Sequence, residues 1–320
     1  MLLSVENLAT YFFLDEGVLR AVDDVSFAVD EGETVALVGE SGCGKTIVAL
    51  SLINLVPSPG RIVRGRVVFL DEDVTQAAPE RLRQIRGRGI GMVFQEPGAA
   101  LNPVRTVGDQ ISEVLRAHQT ITRHDASSAA IRLLGDVGIP EPERRAKSYP
   151  FELSGGMRQR AVIAIAMSVG PKLLIADEPT TALDVTVQAE ILDLLRSLQE
   201  QHGMAILLIT HDLGVVAEMA KRVMVMYTGK IVEVAPTDAL FDAPCHPYTK
   251  GLLASIQHLG AGKEPLEGIP GSVPDFLGLP PGCTFHPRCG IADSACTAEF
   301  PALHSVGSER QCACYKVHPA

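Results

Sequence analysis

Residues 39–46 read Gly-Glu-Ser-Gly-Cys-Gly-Lys-Thr. This is G-x-x-x-x-G-K-[ST], a phosphate-binding loop, and it limits the fold tightly because it works only between a strand and a helix. Both flanks are right. Glu33-Thr-Val-Ala-Leu-Val38 is a short apolar run that predicts a buried strand, and Ile47-Val-Ala-Leu-Ser-Leu-Ile53 can start a helix. The glycines let backbone N–H groups turn inward around phosphate oxygens, and the helix N-terminus adds positive partial charge. Lys45 would reach the β- and γ-phosphates, and the Thr46 hydroxyl would ligate Mg²⁺.

The chain has 320 residues, which suggests one large α/β unit plus an appendage. At 46% hydrophobic and 21% charged it can fill a core and remain soluble. No apolar run reaches the length of a membrane-spanning helix. The N-terminus lacks the basic-then-apolar pattern of a secretory signal, so a cytoplasmic location is expected, with any membrane link made through a partner. A formal net charge of −10 argues against nucleic acid as the main ligand. Five of the seven cysteines lie after position 280. In a cytoplasmic protein that clustering points to a metal or a metal cluster rather than disulfides.

Residues 1–35 read as β structure, with alternating runs at 2–8 and 21–29 joined by a hairpin turn at Asp15-Glu-Gly17. A β-rich edge is expected at 61–70, a short basic helix at 80–88 and a strand at 90–95. Residues 96–150 look like a helical insertion, with an amphipathic helix over 126–137. Helices and strands then alternate to residue 233, which implies a mostly parallel, helix-covered sheet. From Pro236 prolines are frequent and periodicity fades, so 236–320 reads as a compact, ligand-stapled appendage.

Two further motifs carry chemistry. Leu173-Leu-Ile-Ala-Asp177-Glu178 is a buried strand that delivers Asp177 to the carboxyl edge of a sheet, where it would hold Mg²⁺ through water. Glu178 is placed to polarise the attacking water. Leu153-Ser154-Gly155-Gly156-Met-Arg-Gln159-Arg160 opens a helix. Ser154 can cap it, and the two glycines allow a phosphate to approach the exposed N–H groups.

The string Leu153–Arg160 resembles the signature motif of ATP-binding-cassette (ABC) ATPases, and the resemblance covers residues 1–235 with every motif in family order. It implies an α/β P-loop fold: a RecA-like parallel-sheet core, an N-terminal antiparallel β subdomain and a helical subdomain at about 96–165. Gln95 matches the Q-loop glutamine, a ligand of Mg²⁺ and sensor of the γ-phosphate. Thr181-Ala-Leu-Asp184 looks like the D-loop, His211 matches the switch histidine, and Phe12 of Tyr11-Phe-Phe13 is the choice for stacking on adenine. ATP would lie on Gly39, Glu40, Ser41, Gly42, Cys43, Gly44, Lys45 and Thr46 of one chain and on Ser154, Gly155, Gly156 and Gln159 of a second, with Asp184 communicating between the two sites. Cys43 itself reads as filler in the loop. Glu178, His211 and Gln95 form the catalytic set.

The tail resembles that of the oligopeptide/dipeptide importer ATPases, a branch shared with nickel importers. The resemblance rests on His246-Pro-Tyr-Thr249, Ile269-Pro-Gly-Ser-Val-Pro-Asp275 and Pro281-Gly-Cys283-Thr-Phe-His-Pro-Arg-Cys289. Its cysteines are spaced C-x5-C-x6-C and then Cys312-Ala-Cys314. Four thiolates hold zinc or a [4Fe–4S] cluster, and the wide gaps favour the cluster. The resemblance implies Cys283, Cys289, Cys296 and Cys314 as ligands, with Cys312 as the alternate fourth and zinc as the alternate metal.

The expectation is an ATP-hydrolysing importer subunit: an ATPase domain at 1–235 and a small irregular cysteine-rich extension at 236–320. It would sit on the cytoplasmic face of two permease subunits and pair with a related ATPase or with itself. An extracytoplasmic substrate-binding protein would act indirectly. Peptides are the expected substrate, with nickel or an oligosaccharide as the alternative. A soluble ABC protein acting on DNA or ribosomes is disfavoured, because such chains carry two cassettes or a long coiled-coil insertion.

Overall fold

The computed structural model describes residues 1–257 and 269–317. It divides into two units, one of Met1–Val29, Thr34–Thr75 and Ile209–Ala320, the other of Asp30–Glu33 and Gln76–Leu208.

The first unit begins with an antiparallel sheet. Strands Leu3–Leu14 and Gly17–Val29 pair across a turn at Asp15–Glu16, and Gly60–Phe69 pairs with the other edge of the first strand. Leu3 and Val5 are buried on either side of Ser4, the period-2 pattern of a half-buried strand, and an irregularity in pairing after Val5 shifts the phase so that Leu8 is buried next. Both strands run further than their alternation predicts, because cross-strand pairing continues to Leu14 and Gly17.

The unit's second set of strands contains the one before the phosphate loop. Thr34–Val38, buried at every position, pairs in parallel with Arg222–Tyr227, and Lys230–Pro236 returns antiparallel beside the latter. The tail then corrects the expectation of an irregular extension. Strands His304–Gly307 and Arg310–Cys312 form a hairpin that adds to Lys230–Pro236, pairing Glu233 with Cys312. Thr237–Asp242 and Pro247–Gln257 are helical. The hairpin is short and half exposed, so no alternation announces it; pairing to an existing strand orders it.

Tail and sheet share one core. Val225, Tyr227 and Val232 pack with Tyr248, Leu253, Cys283, Phe285 and Cys296. Tyr227 and Tyr248 have ring centroids 4.6 Å apart, and Phe285 meets Tyr227 edge-on at 5.3 Å. Both are favoured geometries for aromatic rings.

In the second unit, Ile90–Val93 and Leu173–Asp177 are parallel neighbours, with every residue of the latter buried. The first of these strands ends before Gln95 rather than at it. The basic helix is shorter than expected: Pro79–Gln84 is α-helical, and the chain then passes through a looser turn in which Gly87 has φ 100°. Helices Val107–His118 and Arg123–Asp136 form most of the insertion, capped by Thr106 and Thr122. The second starts three residues before its apolar stripe because Thr122 Oγ1 accepts from the Asp125 N–H at 3.1 Å. Helix Gly155–Met167 is buried almost all round, and Val185–His202 carries its buried face at Ile191, Leu192, Leu195 and Leu198. Among the described residues no helix is long and apolar enough to cross a membrane.

Candidate functional site

The phosphate loop leaves the buried strand Thr34–Val38 and enters the helix Lys45–Leu52. Two of its glycines are sterically required. A Cβ on Gly39 would lie 2.2 Å from the Met226 carbonyl oxygen, and one on Gly44 would lie 2.2 Å from that of Ala21. Gly44 also has φ 107°, which L side chains rarely adopt. Backbone thus presses on the loop from outside and forces it into a tight turn. Lys45 is buried, and its ammonium donates to the Gly39 carbonyl at 2.8 Å and the Glu40 carbonyl at 3.1 Å. Thr46 is exposed in the first helical turn and Ser41 and Gly42 are exposed in the loop. Cys43 is buried; burial pushes its thiol pKa up, in keeping with a packing role.

In the same unit His211 is exposed directly after the strand Ala205–Thr210. Its flanks are pinned. The Asp212 N–H donates to Thr210 Oγ1 at 3.0 Å, and Asp212 caps the next helix by accepting from Gly214 at 2.8 Å. Of the three aromatics, Tyr11 donates its hydroxyl to Asp23 at 2.7 Å. Phe13 is 39% exposed and lies under the Arg61 guanidinium at 4.3 Å. Phe12 is half-buried, and a Cβ on Gly60 would come within 2.6 Å of its ring.

The second unit carries the acidic pair. Asp177 ends its strand 1% exposed. Glu178 follows in the left-handed region at φ 48°, a costly conformation that concentrates at functional sites. Its Oε2 accepts from Gln95 Nε2 at 2.9 Å and from Thr181 Oγ1 at 2.9 Å. Gln95, distant in sequence, is thereby joined to the Glu178 carboxylate. The Thr181–Glu178 partnership is not among the expectations drawn from the sequence, although the i, i+3 spacing of a tight turn is a usable sign of it.

The signature segment is also in place. Ser154 Oγ accepts from the Met157 N–H at 3.3 Å and caps helix Gly155–Met167. Gly156 has no room for a side chain, since its Cβ would meet Val187 at 2.7 Å. Gln159 is buried at 2% exposure, below the surface a ligand would touch. Asp184 caps Val185–His202 by accepting from the Val187 N–H at 2.9 Å. Signature and D-loop therefore pack on each other and share Val187.

In the tail, Cys283, Cys289, Cys296 and Cys314 line one small cavity together with His246, Phe285, His286 and Lys316. Cys312, which ends the strand Arg310–Cys312 and pairs with Glu233, is buried but does not line this cavity. Burial pushes the Cys283 thiol up to about 11, with the neighbouring cysteines adding to the shift. Burial likewise raises the Cys314 thiol, so these two resist ionisation unless a cation shares the cavity. Among the described residues no three His, Cys, Asp or Glu side chains gather closely enough to hold a single metal ion.

The chain is similar to known proteins over most of its length. The model of the ABC transporter family matches residues 22–181, and that of the oligopeptide/dipeptide transporter C-terminal region matches residues 232–296. A putative peptide import ATP-binding protein of Brucella abortus (strain 2308) is 50% identical over 327 residues, covering 98% of this chain and 97% of that protein. The oligopeptide transport ATP-binding protein AppD of Bacillus subtilis (strain 168) is 51% identical over 315 residues, covering 98% and 96%. Among solved structures, an ATP-binding cassette dimer in a post-hydrolysis state with ADP and phosphate superposes with TM-score 0.66 at 26% identity, covering 73% of this chain and 98% of that one. The protein cbiO1 of Clostridium perfringens, part of the ABC transporter complex cbiONQ, gives TM-score 0.64 at 26% identity, covering 76% and 91%.

Proposed function

This chain belongs to the ABC transporter ATPases, in their oligopeptide/dipeptide branch, and from that premise we propose that it hydrolyses ATP to drive peptide uptake through two partner permeases. The observation that carries the peptide reading is the full-length match, cassette and tail together, to peptide-import ATPases at about half identity. The subunit is peripheral to the membrane and contributes ATP hydrolysis.

The phosphates of ATP would rest on Gly39–Thr46, with Lys45 leaving the loop carbonyls to reach them. Thr46 and Asp177 offer an alcohol and a carboxylate oxygen, the hard donors that Mg²⁺ takes, and Mg²⁺ would neutralise phosphate charge there. Glu178, oriented by Gln95 and Thr181, polarises the attacking water. His211 and Gln95 read the γ-phosphate. Phe12 stacks on adenine. Ser154–Gly156 of a second ATPase, a related chain or another copy of this one, closes over the nucleotide, and Asp184 links the two sites. Closure and reopening is a ligand-driven two-state change that the permeases convert to transport.

The four-cysteine cavity fits a [4Fe–4S] cluster held by Cys283, Cys289, Cys296 and Cys314. What supports this is four thiols lining one cavity, at sequence gaps wider than the pairs typical of zinc sites. The cluster would staple the tail, and no step of hydrolysis is assigned to it.

Uptake of radiolabelled peptides by cells lacking and regaining this chain tests the function. Restored peptide uptake supports it. Restored nickel or oligosaccharide uptake alone transfers the chain to another substrate, and co-purification with ribosomes or DNA instead of multi-span proteins overturns the transport role.

A further inference from the structure

Glu40, a variable position within the phosphate loop, is held twice by the tail. Its backbone N–H donates to the Tyr248 hydroxyl at 2.8 Å. Its carboxylate takes a two-pronged contact from Arg288, Nη1 to Oε2 at 2.7 Å and Nη2 to Oε1 at 3.1 Å. The Arg288 side chain is 5% exposed and that of Glu40 is 28%. Arg288 has no freedom to swing away. Its Nε donates to the Pro270 carbonyl at 2.9 Å, its other donors reach Ile269 and Tyr227, and the ring of Phe285 packs beside it. It also sits immediately before Cys289, in the 3₁₀ turn His286–Arg288.

The contact reaches the reacting end of the loop. The main-chain carbonyls of Gly39 and Glu40 are the two acceptors of the Lys45 ammonium. Fixing Glu40 therefore fixes the frame from which Lys45 extends. There is an electrostatic consequence as well. A bare carboxylate in this loop would oppose the phosphates that the loop receives, and Arg288 neutralises it. A planar, fork-shaped cation is suited to this, because it satisfies both carboxylate oxygens at once.

We propose that Arg288 is a positioning residue of the nucleotide site, holding the phosphate loop through Glu40 from within the cysteine-bearing tail. The tail thus helps set nucleotide affinity, beyond any part in transport or in holding a cluster.

The test uses the full chain and the equilibrium affinity for a fluorescent ADP analogue with Mg²⁺. Arg288→Gln strands a half-buried carboxylate beside the phosphates and should weaken binding by about tenfold or more. Adding Glu40→Gln removes the stranded charge and should recover most of that loss, a rescue that a purely structural arginine would not show. Arg310→Gln, which alters a tail arginine that contacts Ala243 and Cys245 rather than the loop, should leave affinity unchanged. Binding by Arg288→Gln within about twofold of wild type, no recovery in the double variant, or equal weakening by Arg310→Gln would each overturn the proposal. If Arg288→Gln does not fold, Arg288→Lys keeps the buried charge but not the fork. Weaker binding at an unchanged thermal midpoint then supports the proposal, and wild-type affinity overturns it.

Discussion

Gln95 donates its side-chain amide to the carboxylate of Glu178 at 2.9 Å, across 83 positions of sequence. The donor lies just past a strand, at the threshold of the helical insertion; the acceptor begins the turn after the neighbouring parallel strand. The Glu178 carboxylate is thus held by a residue from the segment that leads into the helical insertion.

Replacing Glu178 by Gln removes the proton acceptor and keeps the shape. Turnover in the assembled complex should fall about 10²–10⁴-fold while ATP still binds. Phosphate release and nucleotide affinity measured on one preparation check this, and near-normal hydrolysis would remove Glu178 from its role.

Gln95→Ala leaves Glu178 in place and deletes one hydrogen bond to its carboxylate, while the bond from Thr181 remains. A smaller fall in turnover is expected, about tenfold, the scale of one hydrogen bond to a charged group. A loss as deep as that of Glu178→Gln would mean that Gln95 does more than orient.

Gly39→Ala introduces a methyl group where the Met226 carbonyl oxygen stands 2.2 Å away. Neither backbone segment can yield easily, so the loop must distort. Nucleotide binding by calorimetry should be lost, whereas Gly42→Ala, with nothing within 4 Å of the added carbon, should retain measurable binding despite its φ of 81°.

Protein purified without oxygen should show broad visible absorption and about four iron atoms per chain. Cys314→Ser should lose the colour and Cys312→Ser should keep it, because only Cys314 lines the cavity. One zinc per chain and no iron would replace the cluster with a single ion.

Phe151 is 70% exposed and stacks on Tyr149 with centroids 5.6 Å apart. An exposed aromatic pair beside the helical insertion is suited to anchoring a partner. Phe151→Ser should weaken co-purification with the permeases without changing nucleotide affinity, and unchanged recovery of the permeases would exclude this anchor.

Local chemistry was legible before any coordinates. Gly39–Thr46 and Ser154–Gly156 are contiguous, and their work is done by backbone N–H groups and caps that the residue types themselves specify. The strand ending at Asp177 shows its burial as an unbroken apolar run. The hairpin at 304–312 was not legible, because so short a strand is ordered by the edge it joins rather than by its own pattern.

The sequence by itself therefore determined the nucleotide chemistry, the family and the order of the motifs, since each depends on neighbours along the chain. Only the tertiary structure decided that Gln95 meets Glu178, that Arg288 and Tyr248 hold Glu40 from more than 200 residues away, and that Cys314 rather than Cys312 turns into the cavity. Those pairings depend on which side chains packing brings within hydrogen-bonding distance, and no local spacing encodes that.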